Sequence, residues 1–328
     1  MKGMQAEIRF PNTLQEAIKY FADDERAFEF MKQVRWPNGK VTCPRCGSDE
    51  ASFISTRKLW TCKHCKTKKQ FTIRVGTILE DSPIKFDKWI CAFWLIANAK
   101  NGISSYEVGR ALGVTQRTGW FMLQRIRLAM QNGSIVKMSG TCEADETYIG
   151  AKARYMHKDR RTGVGHAGIK KTAVQGILER TSGKKHSRVV LKVVSNTRKP
   201  ELCGNVREYV LKGSTVCTDA LMSYDDLASD YDRKVIDHAV SYANGHVHTN
   251  GLENFWSLLK RAIRGTYVNV EPFHLFRYLD EQAFRFNERK DKEGDKGRFI
   301  KAIAGMTGKR LTWAKLIGLD AQAESLPA

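Results

Sequence analysis

The order of apolar and polar positions divides the chain into helical stretches around a cysteine-bearing segment, followed by a region in which β-branched runs mix with helices. Residues 1–35 read as a helical lead-in, with Thr13 placed to cap LQEAIKYFADDERAFEFM. Residues 36–80 carry paired cysteines, and residues 81–133 are again helical in pattern. There Ser104 and Glu107 make a capping box that opens a short helix ending at Leu112-Gly113, and Thr115 caps a second from Gln116 to about Met130. A short helix, a glycine-containing turn and a basic second helix follow the helix-turn-helix layout, in which Gln116, Arg117, Gln124, Arg125 and Arg127 can reach base edges and phosphates. A plain helical hairpin, with Trp120, Phe121, Leu123 and Ile126 filling a core, fits the same pattern. The turn Gln131-Asn132-Gly133-Ser134 marks a domain boundary. Beyond it TAVQGILE, RVVLKVV, STVCT and KVIDHAV predict strands. Phe273 to Arg289 predicts an amphipathic helix with Leu275, Tyr278, Leu279 and Phe286 on its core face, and residues 293–328 read as a C-terminal tail. A separate domain over residues 134–292 is accordingly expected.

Composition narrows the classes of function. With 328 residues, 42% of them hydrophobic, the chain can build two or three cored domains, and its net charge of +20 calls for a polyanionic partner. The charge is uneven: residues 151–199 hold 14 Lys or Arg against Asp159 and Glu179 alone, a surplus of 12 that predicts a DNA track. No apolar run is long enough to span a bilayer, and the start lacks the basic-then-apolar pattern of a signal peptide, so a cytoplasmic protein with no membrane partner is expected. Of eight cysteines, Cys91, Cys142, Cys203 and Cys217 are scattered in apolar segments, where a reduced thiol acts as a small hydrophobe.

The other four form Cys43-Pro-Arg-Cys46 and Cys62-Lys-His-Cys65, with 15 residues between the pairs. Two residues between cysteines let one tight turn present both sulfurs to a single ion, and the spacer makes the hairpin that brings the turns together. Four thiolates close the coordination shell, so the expected Zn²⁺ is structural. Thioredoxin-type redox motifs come singly, which argues against that alternative. Arg45, Lys63, Lys66, Lys68 and Lys69 would decorate the ribbon with positive charge, and His64 inside the second pair is a poor competitor as ligand.

Three acidic positions after residue 140 suggest phosphoryl chemistry. Glu143, Asp145 and Glu146 interrupt a strand-like run, where carboxylates are normally depleted. Asp219 ends the apolar strand STVCTD, and Glu253 lies on a helix 34 residues further on. Carboxylates at neighbouring strand ends and on a nearby helix can share two Mg²⁺ ions, which activate a water or 3′-hydroxyl for in-line attack on phosphorus. Strand alternation puts Glu143 and Asp145 on one face and Glu146 on the other, and does not choose among them. Asp219 as a helix cap and Glu253 as a solvated helix residue are the plain alternatives. Lys260, two turns after Glu253 on the same helix face, is positioned to hold a phosphate. Trp256 suits packing or base stacking, and His248 either the site or a structural hydrogen bond.

CPRCGS, WTCKHC, FTIRVGTILEDSPI, KNGISSYEVGRALGV, GWFMLQRIRLAM, EADETYIG, HVHTNGLENFWSLLKRAIRGTY and FRYLDEQAFRFNER occur in this order. Together they resemble bacterial insertion-sequence transposases of the ISXO-like DDE type with an N-terminal zinc ribbon, from about Val34 to about Lys290. The resemblance implies an α/β catalytic domain, an RNase H-like mixed sheet with flanking helices, preceded by the ribbon and the helix-turn-helix segment. It selects Asp145 as the first acid, supports Asp219 and Glu253 as the second and third, and implies Mg²⁺ or Mn²⁺ beside the structural Zn²⁺. Arg117, Arg125, Lys260 and Arg261 are then the expected DNA contacts. The implied partners are double-stranded DNA, as element terminal repeats and target, and further copies of the chain in a dimer or larger assembly. Ala151 and Val268 depart from the family pattern, where glycine and histidine are common. The element order after residue 140 predicts three strands, a helix, a strand, a helix, a strand and a helix. A catalytically silent regulator and a nuclease of the same fold are the rival readings.

Overall fold

The computed structural model describes residues 10–131, 136–150, 171–183, 186–236 and 247–319. In chain order the elements are α1 (Leu14–Phe21), α2 (Asp24–Arg35), β1 (Ala51–Ile54), β2 (Leu59–Cys62), β3 (Gln70–Phe71), α3 (Phe86–Asn98), α4 (Ser105–Leu112) and α5 (Gln116–Met130). They continue with β4 (Thr141–Ile149), β5 (Thr172–Glu179), β6 (Arg188–Val194), α6 (Lys199–Tyr209), β7 (Thr215–Asp219), β8 (Asp232–Ile236), α7 (Asn250–Ala262), α8 (Leu275–Asn287), α9 (Gly294–Ala304) and α10 (Trp313–Ile317).

Two compact units result: Met1–Ala99 with Ile103–Met130 and Asp291–Ala328, and Lys100–Gly102 with Gln131–Lys290. In the first, the lead-in, ribbon, paired helices and tail share one core, although the sequence pattern separates them. Aromatic rings explain this. Phe21 and Phe30 lie 4.9 Å apart, Phe30 lies 5.9 Å from Phe299 of α9, and Phe299 lies 5.0 Å from Trp94 of α3. The described part of the expected tail, to residue 319, therefore holds two helices, with Phe299 of the first in the core. The ribbon is a three-stranded antiparallel sheet, β1-β2-β3, and Trp60 on β2 stacks on Phe28 of α2 at 6.0 Å while meeting Trp36 edge-on at 5.1 Å. Burial of such rings, each worth a few kcal/mol, fastens the small ribbon to the helices.

The predicted caps form: Ser104 and Glu107 complete the capping box of α4, and Thr115 Oγ1 accepts from Thr118 N at 3.2 Å at the start of α5. α5 differs from an open recognition helix, because Gln124, Arg125 and Arg127 are buried and Gln116 and Arg117 in the first turn are exposed. Trp313 of α10 braces that turn, lying 5.4 Å from Phe121 and 4.3 Å below the Arg117 guanidinium.

The second unit is built on a mixed sheet ordered β6-β5-β4-β7-β8 among the described residues. β4, β5 and β6 pair antiparallel, whereas β7 and β8 run parallel to β4. The β-branched runs make these strands, and alternation along β4 sends Cys142 and Ala144 to one core and Ile149 to the other. α6 covers the first face through Leu202, Val206 and Tyr209, and α7 and α8 cover the second through Leu252, Phe255, Leu259 and Leu279. This is the expected RNase H-like arrangement, with a 3-10 stretch (Met222–Ser229) between β7 and β8 where a helix was expected.

Gly176 on β5 sets how closely α7 approaches the sheet. A Cβ there would lie 2.6 Å from the Trp256 ring and 2.9 Å from Leu252. Gly176→Ala is expected to push α7 outward and lower stability by about 1–3 kcal/mol, the usual cost of overpacking. Chemical denaturation measures this, and an unchanged midpoint would contradict the packing described.

Candidate functional site

The ribbon turns bring four sulfurs together: Cys43 Sγ and Cys65 Sγ lie 3.7 Å apart, Cys46 Sγ and Cys62 Sγ 3.5 Å apart, and all four fall within 4.8 Å of one another. Tetrahedral Zn²⁺ with Zn–S bonds of about 2.3 Å needs sulfur separations near 3.8 Å, so this donor set fits a structural zinc. The four sulfurs titrate together: burial works against ionisation of Cys62, but the backbone N–H groups of Cys65 and His64 and the neighbouring sulfurs lower it, whereas the same neighbours raise Cys65. His64 instead faces Glu50, with Nε2 at 3.1 Å. Arg45, expected as surface decoration, reaches across to the carbonyls of Lys68 and Gln70, the latter at 3.0 Å, and ties the two turns together.

The second cluster lies at the ends of parallel strands. The β4–β7 ladder ends with Glu143 opposite Cys217, so two residues further along each strand Asp145 and Asp219 emerge side by side. Carboxylate oxygens of Asp145, Glu146 and Asp219 lie within 4.8 Å of one another. Glu146, on the opposite face of β4, joins them through a buried polar chain absent from the sequence-based reading. Asn205 Nδ2 donates to Gln175 Oε1 at 2.8 Å, Gln175 Nε2 to the Tyr224 hydroxyl at 3.2 Å, and that hydroxyl to Glu146 Oε1. The signal was present: Gln175 is an amide inside an otherwise apolar run.

Glu253 stands outside this tight group, on the first turn of α7, where Thr249 Oγ1 donates to its Oε1 at 3.3 Å. Its charge is nevertheless felt. Burial raises the Asp145 carboxyl above the usual range; Asp219 and Glu253 add to the rise, and the Trp256 and Glu146 N–H groups oppose it. Burial, then the charges of Asp145 and Asp219, lift Glu146 to about 8. Such crowding favours a divalent cation, because like charges in a poorly solvated site cannot all ionise without one. An all-oxygen donor set also suits a hard divalent ion.

α7 delivers further groups to the same place. Trp256 both packs on Gly176 and donates Nε1–H to Asp145 Oδ2 at 2.8 Å. Lys260 is half-buried; burial lowers its ammonium, as do the charges of Arg264 and Lys171, while Asp145 acts in the opposite sense. Arg261 is exposed on the same helix. His248 takes the structural role, with Nδ1 accepting from Arg180 at 2.9 Å.

One expectation for DNA contact needs correction. Arg125 is buried, donates to the Glu80 carbonyl at 2.9 Å and lies 4.2 Å from the Phe121 ring centroid, so its charge serves the interior. Within the basic segment, residues 151–170 and 184–185 lie outside the described residues. Among the described residues of that segment, Arg180, Arg188, Lys192 and Lys199 pair with Glu143, Glu179, Glu208 and Asp226.

With this geometry in place, comparison with known proteins is informative. Residues 137–287 match the ISXO2-like transposase domain, and residues 22–68 match the transposase zinc-ribbon domain. The chain is 28% identical over 258 residues, 74% of its length and 84% of the relative, to an "uncharacterized protein in transposable element ISH50" of Halobacterium salinarum. It is 35% identical over 101 residues, 30% of its length and 81% of the relative, to an "uncharacterized transposase-like protein" of Haemophilus influenzae. The fold and the two clusters define a zinc-ribbon transposase of DDE architecture. The chain belongs to the ISXO2-like transposase family of insertion sequences, and DNA binding comes with membership. Among the described residues no helix is long and apolar enough to cross a membrane.

Cys62→Ser is expected to lower zinc content well below one ion per chain and to reduce the thermal stability of the first unit, as elemental analysis and scanning calorimetry will report. Full zinc in that variant would remove the four-thiolate assignment. A second expectation concerns pH. Glu146 keeps a proton in the folded chain that the unfolded chain releases near its ordinary value of 4.5. The resulting stabilisation is complete below that value and is lost as pH rises through about 8. Zinc-loaded protein free of other divalent ions should therefore melt at falling temperature across this window, and E146Q should show a shallower slope. Parallel slopes would show that Glu146 titrates normally.

Proposed function

We propose that this chain is an insertion-sequence transposase that cleaves the ends of its element and joins the freed 3′-hydroxyl to target DNA, with Asp145, Asp219 and Glu253 as the acids of the reaction. The observation that carries this reading is the convergence of Asp145 and Asp219 at adjacent strand ends, with the charge of Glu253 acting on Asp145 from α7. Asp145, Asp219 and Glu253 would hold Mg²⁺ or Mn²⁺, which would lower the pKa of the attacking water or hydroxyl and offset charge on the leaving oxygen. The protein's own groups prepare the site. Trp256 fixes one Asp145 oxygen, leaving the other for coordination. Glu146 adds a further carboxylate whose position is set by Tyr224. Lys260 holds a phosphate of the bound strand next to the acids, with Lys171 and Arg264 adding positive potential.

DNA ends are delivered by the ribbon and by the exposed first turn of α5, where Gln116 and Arg117 stand ready for a groove. The substrate is double-stranded DNA carrying the element's terminal repeats. Pairing two ends requires a dimer or larger assembly on DNA. No covalent protein–DNA intermediate is needed, since water and the 3′-hydroxyl are the successive nucleophiles.

Purified protein incubated with Mg²⁺, a donor end bearing a 3′-hydroxyl and a target plasmid is expected to give joined product. D145N, D219N and E253Q should each lower cleavage and joining by at least about 100-fold while DNA binding persists. Nicks without joined product would indicate a nuclease of this fold, and binding without either would indicate a regulator. Full activity in any of the three variants would remove that acid from the site.

A further inference from the structure

Glu143 shares a face of β4 with Asp145, and its side chain is 1% exposed, yet it stands apart from the acidic cluster. Its two oxygens face two different parts of the chain. Oε1 accepts from Arg180 Nε at 2.7 Å, and Oε2 accepts from the backbone N–H of Leu252, in the first turn of α7, at 2.9 Å. The same Arg180 donates to the His248 carbonyl at 2.5 Å and to His248 Nδ1 at 2.9 Å, and so holds the segment that leads into α7. Thr249, the residue at the cap position of α7, makes no side-chain bond to the helix backbone, so a carboxylate from the neighbouring strand supplies the capping acceptor. Gly251 permits this: a Cβ there would lie 2.8 Å from Glu143 Oε2 and 3.0 Å from Oε1.

We infer that Glu143 is a positioning residue for the third acid, clamping the start of α7 to β4 so that Glu253 is held at a fixed offset from Asp145. Glu143 lies two residues before Asp145 on one element, and Leu252 one residue before Glu253 on the other. A single buried carboxylate thereby links the two elements next to the groups that must converge. Arg180 compensates its charge, and together they anchor both the backbone before the helix and its first turn. This rests on the reading of Asp145, Asp219 and Glu253 as the metal-binding acids.

The test uses the full-length, zinc-loaded chain and three variants: E143Q, R180Q and G251A, the last crowding the clamp without changing charge. Calorimetric titration with Mn²⁺ is expected to show affinity at least tenfold weaker in E143Q and G251A than in wild type, within the 10–100-fold range usual for groups that orient metal ligands. Hydrogen exchange in the peptide over residues 250–256 should accelerate in the same variants, while the four-cysteine zinc content and affinity for a DNA end stay unchanged. E143Q combined with R180Q should be no weaker for Mn²⁺ than the worse single variant. Wild-type Mn²⁺ affinity in folded E143Q or G251A overturns the positioning role and leaves the proposed function standing. A wild-type chain that takes up no Mn²⁺ overturns both. Should E143Q fail to fold, G251A alone decides, because its side chain adds one methyl group and removes no partner.

Discussion

Carboxylates gathered and partly buried where β4 and β7 end are the constraint on which the second unit depends. Asp145, Glu146 and Asp219 approach within 4.8 Å, and burial, with the charges of the neighbouring carboxylates, makes Asp145 and Glu146 harder to ionise. A fold that holds them there needs rigid backing, and the interior polar contacts supply it. The Asn205–Gln175–Tyr224 chain supports Glu146 from one face of the sheet, and the indole of Trp256 supports Asp145 from the other. Both faces are sealed by apolar layers, so these polar groups find partners within the protein. Site and core are consequently parts of the same construction.

Much of this was legible in the chain. The cysteine spacing predicted the paired sulfurs because it is a local property: two tight turns and a hairpin require little information from elsewhere. Strand runs and caps were legible for the same reason. Choosing among Glu143, Asp145 and Glu146 was different, because alternation assigns faces without saying what covers them. The resemblance selected Asp145, and the packed sheet adds what each side chain meets: Glu143 the start of α7, Asp145 the indole of Trp256, and Glu146 the hydroxyl of Tyr224. The burial of Arg125 was equally hidden. A basic residue on an amphipathic helix reads as solvent-facing; Phe121, one turn back, lies beneath this one, but the Glu80 carbonyl that receives it comes from distant sequence.

The helix α7 is the common carrier in the second unit. Glu253, Trp256 and Lys260 lie at helical spacing on one side, and the clamp at Glu143 holds the first turn. Rotation of this helix by a few degrees would move an acid, an orienting donor and a cation together. Small residues at its two contact points, Gly176 beneath Trp256 and Gly251 beside Glu143, set its distance from the sheet. The chemistry is therefore sensitive to packing at positions that bear no reactive group.

The aromatic core of the first unit has a consequence for synthesis. Phe21, Phe30 and Trp94 are made early, but their partner Phe299 lies near the other end of the chain. The intervening unit, almost entirely continuous over Gln131–Lys290, has every residue of its own core available sooner. On a ribosome that releases the chain from its amino end, the acid-bearing sheet can close before the zinc-bearing half has its last ring. The zinc-bearing half thus receives Phe299 only after the acid-bearing sheet has all its residues.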